Sequence, residues 1–196
     1  MIDPIILTVS GCYVNILEPS VDDIDIKDIA HALSNINRYN GHTTVPYTVA
    51  EHSMRVAYLL KCQGYTPAAQ LAGLLHDATE AYIGDVATPI KQLLPKFKRI
   101  ERGLEEVIEE KFSVTIRNRP EVHAADLQLL ASERKFLMPD TPDYPWPIIE
   151  GIDPDAFDRT CKLTSNRWGD RKPVYNRINF LRMFDRLVKD VEACSK

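Results

Sequence analysis

Residues 74–85 read LLHDATEAYIGD. The run is apolar and helix-forming, yet it spends two adjacent positions, His76 and Asp77, on an imidazole and a carboxylate. A helix that buries one face gains nothing from either group unless something takes up the charge. The dipeptide alone decides nothing, because about 0.4 adjacent His-Asp pairs are expected by chance in a chain with five His. The answer depends on what stands at helical spacing elsewhere.

Working outward, the helix carrying the pair starts at Thr66-Pro67, an N-cap followed by proline at the first helical position, and runs to Gly84. Upstream, Thr48-x-x-Glu51 is a capping box that opens a helix with the apolar stripe Val49, Val56, Leu59 and Leu60, ended by Gly64. Before that, Asp25 caps a helix whose stripe is Ile26, Ile29, Leu33 and Ile36, stopped in the turn NRYNG. Downstream, Leu93, Phe97, Ile100, Leu104, Val107 and Phe112 set a helix over 92–112. Further helices are expected at about 120–137 and at 173–193, the latter with the stripe Val174, Ile178, Leu181, Val188 and Val191. The proline-rich PDTPDYPWPIIEGIDP between them must be an extended loop, with a short helix after Pro154. The first 20 residues read as an extended arm or a small hairpin. This is the pattern of an all-α single domain over 1–196, with a motif core at about 25–137 and a C-terminal loop and helix at 138–196.

The bulk numbers narrow the class. A chain of 196 residues, 44% apolar and 27% charged, is long enough to bury a core without disulfide support. A net charge of −4 leaves no footprint for a nucleic acid duplex, so any anionic ligand must be held by a local cationic cluster. No segment has the look of a signal peptide or a membrane span, and Cys12, Cys62, Cys161 and Cys194 are scattered without CxxC pairing. A cytoplasmic protein with reduced thiols is the expectation.

Against that background the polar residues on apolar stripes stand out. His52 lies three residues after Val49 and four before Val56, on the buried stripe of its helix; Asp126 lies four after Val122 and three before Leu129. With His76 and Asp77, three helices each present polar groups inward. One such histidine is ordinarily a hydrogen-bonded core residue, but four groups on three apolar stripes are costly without a common partner. A single divalent transition ion would satisfy all four, taking imidazole nitrogen and carboxylate oxygen at about 2.0–2.2 Å. Cobalt, manganese, zinc, iron and nickel all suit such a mixed set.

The pattern His52…His76-Asp77…Asp126 resembles that of the HD-domain metal-dependent phosphohydrolases. NRYNGHT, VAEHS, LLHDATEAYIGDVATPIK and AADLQLLASE are similar to segments of the HD-domain 5′-deoxynucleotidases, and of the phage HD-domain enzymes that hydrolyse deoxynucleoside triphosphates, dATP in particular. The resemblance covers roughly residues 25–137 and is looser beyond. It implies water attack at the phosphorus bonded to the sugar O5′, releasing a deoxynucleoside with phosphate from a monophosphate or tripolyphosphate from a triphosphate. It implies Glu80, one turn after His76, as acid/base and Asp85 as the group orienting water or the sugar. Arg38 matches a phosphate-contacting arginine, and Tyr39 stands where relatives often have tryptophan, either to wall the nucleoside or to pack. Thr88, Lys91 and His123 complete the substrate-binding set, His123 standing where relatives often carry lysine. Extra Mg²⁺ or Mn²⁺ would accompany a triphosphate. A homo-oligomer, dimer or larger ring, is expected on the same ground. Two other readings stay open: an HD-type phosphodiesterase or guanosine-tetraphosphate hydrolase, and a non-catalytic nucleotide sensor. The basic segment holding Arg167, Arg171, Lys172 and Arg177 reads as solvated loop, or as a reach toward a polyphosphate tail.

Overall fold

The structure is a computed structural model that describes residues 3–141, 144–162, 168–169 and 171–194. A hairpin of β1 (Ile5–Leu7) and β2 (Tyr13–Asn15) precedes α1 (Ile26–Asn35), α2 (Val49–Cys62), α3 (Pro67–Leu75) and α4 (Glu80–Ile83). Then come α5 (Thr88–Lys91), α6 (Pro95–Phe112), α7 (Pro120–Leu137), α8 (Ala156–Thr160) and α9 (Pro173–Cys194). Apart from the antiparallel hairpin, which pairs Ile5 with Asn15 and Leu7 with Tyr13, the described residues are all-α in class. The short helix expected after Pro154 is α8. Among the described residues no helix is long and apolar enough to cross a membrane.

The helix starts are set by side chains that take up free backbone N–H groups. Asp25 accepts from Lys27 N at 2.7 Å, Thr48 from Glu51 N at 3.2 Å and Thr66 from Ala69 N at 3.3 Å. The box at Thr48 is only half closed, since the Glu51 carboxylate turns to Arg55 Nη2 (2.9 Å) and Gly169 N (3.2 Å).

Helix α2 is the axis of the domain: every residue from Val49 to Ala57 is buried, with α1, α3, α7 and α9 packed around it. One continuous core runs from Val14 through α1, α2, α3, α6 and α7 to Phe180, Phe184 and Leu187 of α9. The contact between α2 and α3 depends on Gly73, because a Cβ there would stand 2.6 Å from Leu60 Cδ1 and 3.3 Å from Val56 Cγ1. That close approach brings the end of α3, and so His76, up to the middle of α2.

Four expectations shift. The first helix stops at Asn35, and Ile36 is already extended; NRYNG forms a tight turn with Tyr39 (φ 56°) and Asn40 (φ 52°) in the left-handed region. The helix expected to run from Thr66 to Gly84 breaks at its most interesting point. Ala78 N bonds Leu75 O (2.9 Å), Glu80 N bonds Asp77 O (3.0 Å) and Tyr82 N bonds Thr79 O (3.0 Å), the three-residue spacing of a 3₁₀ turn. Apolar periodicity cannot register such a tightening, which leaves the same residues facing inward. The helix expected over 92–112 begins only at Pro95, a natural first position, and Leu93 is left outside it at 79% exposure. In α9 the fully buried residues are Asn176, Phe180, Phe184 and Leu187; of the expected stripe, Leu181, Val188 and Val191 are partly buried against the core, whereas Val174 and Ile178 are exposed.

Candidate metal centre

Helix α2 brings His52 into the core at 0% exposure, α3 delivers His76 at its C-terminal end, the 3₁₀ turn delivers Asp77, and α7 delivers Asp126. His52 Nε2 stands 3.3 Å from His76 Nε2, 3.1 Å from Asp126 Oδ1 and 3.6 Å from Asp77 Oδ2. His76 Nε2 lies 3.2 Å from Asp77 Oδ2 and 3.9 Å from Asp126 Oδ1. Ligand atoms sharing an ion at 2.0–2.2 Å stand about 3–4 Å apart, and these separations match. The tightest group is His52, His76 and Asp126, with ligand atoms all within 4.8 Å of one another; Asp77 joins through the oxygen that reaches both imidazoles.

The hydrogen-bond chemistry points the same way. His52 Nδ1 lies 2.6 Å from Glu133 Oε1, and His76 Nδ1 lies 2.9 Å from the Gly73 carbonyl. The carbonyl can only accept, and so can Glu133 when ionised, as Arg38 and His52 hold it at about 2 despite burial. Both Nδ1 atoms therefore donate, which leaves both Nε2 atoms turned toward the two carboxylates. The four atoms converge on a point that calls for positive charge, a metal ion or, without one, a proton. The electrostatics agree: burial and Arg38 favour neutral His52, but Glu133 and Asp126 prevail and push it up to about 9. Asp77 and Asp126 are held below the usual carboxylate range by the two histidines, against burial. These residues fit a divalent transition ion.

The flanks of the centre differ in character. Arg38 Nη1 lies 3.3 Å from Asp77 Oδ2 and its Nε donates to Glu133 Oε2 at 3.2 Å, so the guanidinium stands directly beside the donor set. Tyr39 spends its hydroxyl on Glu133 Oε2 (2.6 Å), and its ring lies 6.1 Å from Trp146. Glu80, buried at 4% exposure, has one oxygen 3.7 Å from Lys91 Nζ and the other without a hydrogen-bond partner among the described residues. Burial, Asp77 and Asp85 push Glu80 well above the ordinary glutamate range. Burial and Asp77 also raise Asp85, against the pull of Arg38; its half-buried position follows Gly84, whose φ of 76° turns the chain there. Lys91 is paired with Glu101 at 2.8 Å. Thr88 is exposed at the start of α5, away from the donor set's hydrogen bonds. His123 is exposed one turn before Asp126. It helps line a cleft of about 280 Å³ with His76, Asp126, Glu105, Asn118 and Arg119. Of the basic segment, Arg167 lies outside the described residues, Arg171 and Lys172 are exposed, and Arg177 meets His31 at 3.4 Å.

One central residue was missed by sequence reasoning. Glu133 has a fully buried side chain and accepts from His52, Tyr39, Tyr47 and Arg38. It lies seven residues, two helical turns, after Asp126, so the same inward-facing test that found Asp126 applies to it.

The family model for 5′-deoxynucleotidase YfbR-like proteins matches residues 28–128, a span that holds Arg38, the four donors and Glu80. The chain belongs to the YfbR-like 5′-deoxynucleotidase family. Uncharacterized protein YfdR of Escherichia coli K12 is 41% identical over 147 residues, covering 75% of this chain and 79% of that protein. An uncharacterized protein of Rhodobacter capsulatus is 44% identical over 91 residues, 44% of this chain and 46% of the relative. This YfbR-like chain is thus a hydrolase of phosphate esters of the nucleotide phosphohydrolase kind, and metal-dependent, with the His/Asp cluster as its candidate centre. The family match ends before Glu133.

Proposed function

We propose that the protein hydrolyses the 5′ phosphate ester of deoxynucleoside monophosphates to deoxynucleoside and phosphate, as a cytoplasmic homo-oligomer. The observation that carries the reading is the convergence of two imidazoles and two carboxylates beside a guanidinium, with a buried, half-unpartnered glutamate on the same side. Membership of a 5′-deoxynucleotidase family supports the deoxynucleotide as substrate.

His52, His76, Asp77 and Asp126 hold the ion, which when bound supplies Lewis acidity toward water and a phosphoryl oxygen. Arg38, beside Asp77, offers a guanidinium to the phosphate oxygens as charge builds on them. Glu80 keeps a proton at its carboxyl and gives it to the departing O5′; Lys91 balances the charge left on Glu80 until the carboxylate takes back the proton that the attacking water gives up. Asp85 orients the water or the sugar from the turn after Gly84. Tyr39, its hydroxyl committed to Glu133, offers its ring to the nucleoside.

A second reading takes a deoxynucleoside triphosphate, dATP among them, cut at the same bond. The cleft favours it, since it leads from His76 and Asp126 to Arg119 and His123 and leaves room for a tail; Glu105 on its wall opposes it. A phosphate-release screen tests the function: purified protein with each of Co²⁺, Mn²⁺, Zn²⁺, Fe²⁺ and Ni²⁺ against deoxy- and ribonucleoside mono- and triphosphates, cyclic nucleotides and guanosine tetraphosphate, with an inorganic tripolyphosphatase added to the triphosphates. Deoxynucleoside monophosphates should be turned over fastest, and faster than their ribose counterparts. Activity confined to cyclic or tetraphosphate nucleotides, or no turnover despite tight binding, would replace this reading by one of its rivals.

A further inference from the structure

We propose that Glu133 is the positioning residue of the site, one buried carboxylate that fixes the metal-binding nitrogen of His52 through one oxygen and the Arg38–Tyr39 turn through the other. The inference rests on the metal centre of the preceding reading and goes beyond the residues of the family match.

Two oxygens on a fully buried side chain receive four donors. Oε1 takes His52 Nδ1 at 2.6 Å and Tyr47 Oη at 2.9 Å; Oε2 takes Tyr39 Oη at 2.6 Å and Arg38 Nε at 3.2 Å. A buried carboxylate so fully satisfied fixes its donors in place, because moving any of them exposes an uncompensated charge. At Oε1 the consequence is chemical. With the Nδ1 hydrogen donated to Glu133, the neutral, ligating form of His52 has its lone pair on Nε2, the atom facing His76, Asp77 and Asp126. At Oε2 it is conformational. Tyr39 and Asn40 both have positive φ, a left-handed backbone that costs non-glycine residues roughly 1–2 kcal/mol each. The bonds from Arg38 and Tyr39 to a rigid helix hold that turn, and with it the guanidinium, against Asp77. Glutamine would fit the space but reverse one edge: its amide N–H₂ would face the Arg38 Nε–H, which cannot accept, although the Tyr39 hydroxyl can rotate to do so.

The test needs no nucleotide. Metal-free wild type and Glu133→Gln are titrated with Co²⁺, followed by visible absorption, after circular dichroism confirms folding. The expected result is a Co²⁺ affinity roughly 10–100-fold lower in Glu133→Gln, with an altered band shape. Wild-type affinity and spectrum in the folded variant would overturn the inference alone; no Co²⁺ binding by the wild type would overturn the metal centre as well. Should Glu133→Gln fail to fold, ¹⁵N-histidine spectra of Zn²⁺-loaded wild type decide: a protonated Nδ1 on His52 with Nε2 ligated supports the role. A ligated or unprotonated Nδ1 overturns it.

Discussion

The two walls of the site are built to opposite specifications. On the α2 and α7 side, His52 and Glu133 have side chains at 0% exposure, and the bond between them sits on two long helices. On the α3 to α5 side, His76, Asp77, Glu80, Asp85 and Lys91 sit on the end of one helix, a 3₁₀ turn and two elements of four residues each. There Glu80 has an oxygen without a partner among the described residues, and burial and neighbouring carboxylates favour its protonated form. A metal ligand needs a fixed tautomer and direction, which the first wall provides. A proton donor needs a raised pKa and an uncommitted oxygen, which the second provides. The 3₁₀ turn contributes directly, because it brings the Asp77 charge near enough to raise Glu80.

The largest effects should come from removing the donors that both walls share. His76→Ala and Asp126→Ala should lose the ion, from one per chain to background by elemental mass spectrometry, and all measurable turnover with it. Full occupancy in both folded variants would dissolve the comparison. Next in size, Glu80→Gln should keep the ion and the fold while turnover falls by roughly 10²–10⁴. Near wild-type rates would move the proton chemistry to another residue.

A subtler pair of substitutions sharpens the contrast by its sign. In the metal-free protein, Glu133 has its pKa depressed to about 2, so its ionised form contributes stability that is present above the ordinary glutamate range and lost as pH falls toward 2. Glu80 is raised, so its contribution is present at low pH and is lost as pH rises through its elevated pKa. Glu133→Gln should therefore destabilise the protein by about 1–3 kcal/mol at pH 7, with the deficit shrinking as pH falls. Glu80→Gln should be as stable as wild type in acid and gain on it as pH rises above the ordinary glutamate range. Urea midpoints at several pH values read both. Shifts of the same sign would mean that the two walls are electrostatically alike.

The metal donors were the easier residues to read. His52 and Asp126 break long apolar stripes, and a polar group on such a stripe has few explanations. His76 and Asp77 were found by the same reasoning joined to a motif, Arg38 by the resemblance alone, and the structure brings all five together. Glu133 escaped because glutamate late in a helix normally reads as solvated, and its partners Arg38, Tyr39 and Tyr47 come from a turn and a helix entry some ninety residues away in sequence. The break after Leu75 escaped because its residues keep a helical composition and φ/ψ near helical, as His76 (φ −60°, ψ −32°) and Thr79 (φ −60°, ψ −30°) show. The face of α9 was only partly legible, because aliphatic spacing found its flank at Leu181, Val188 and Val191 but passed over Phe180 and Phe184, which fill the core.

The proposed role of this donor set is to drive cleavage at the sugar-proximal phosphate. Metal-free protein should be incubated with dAMP and with dATP, without and with added Co²⁺, and the products separated by chromatography. Deoxyadenosine and phosphate should form from dAMP only when metal is present, and no dADP or dAMP from dATP under any condition. Turnover of dAMP without metal, or stepwise loss of terminal phosphates from dATP, would contradict it.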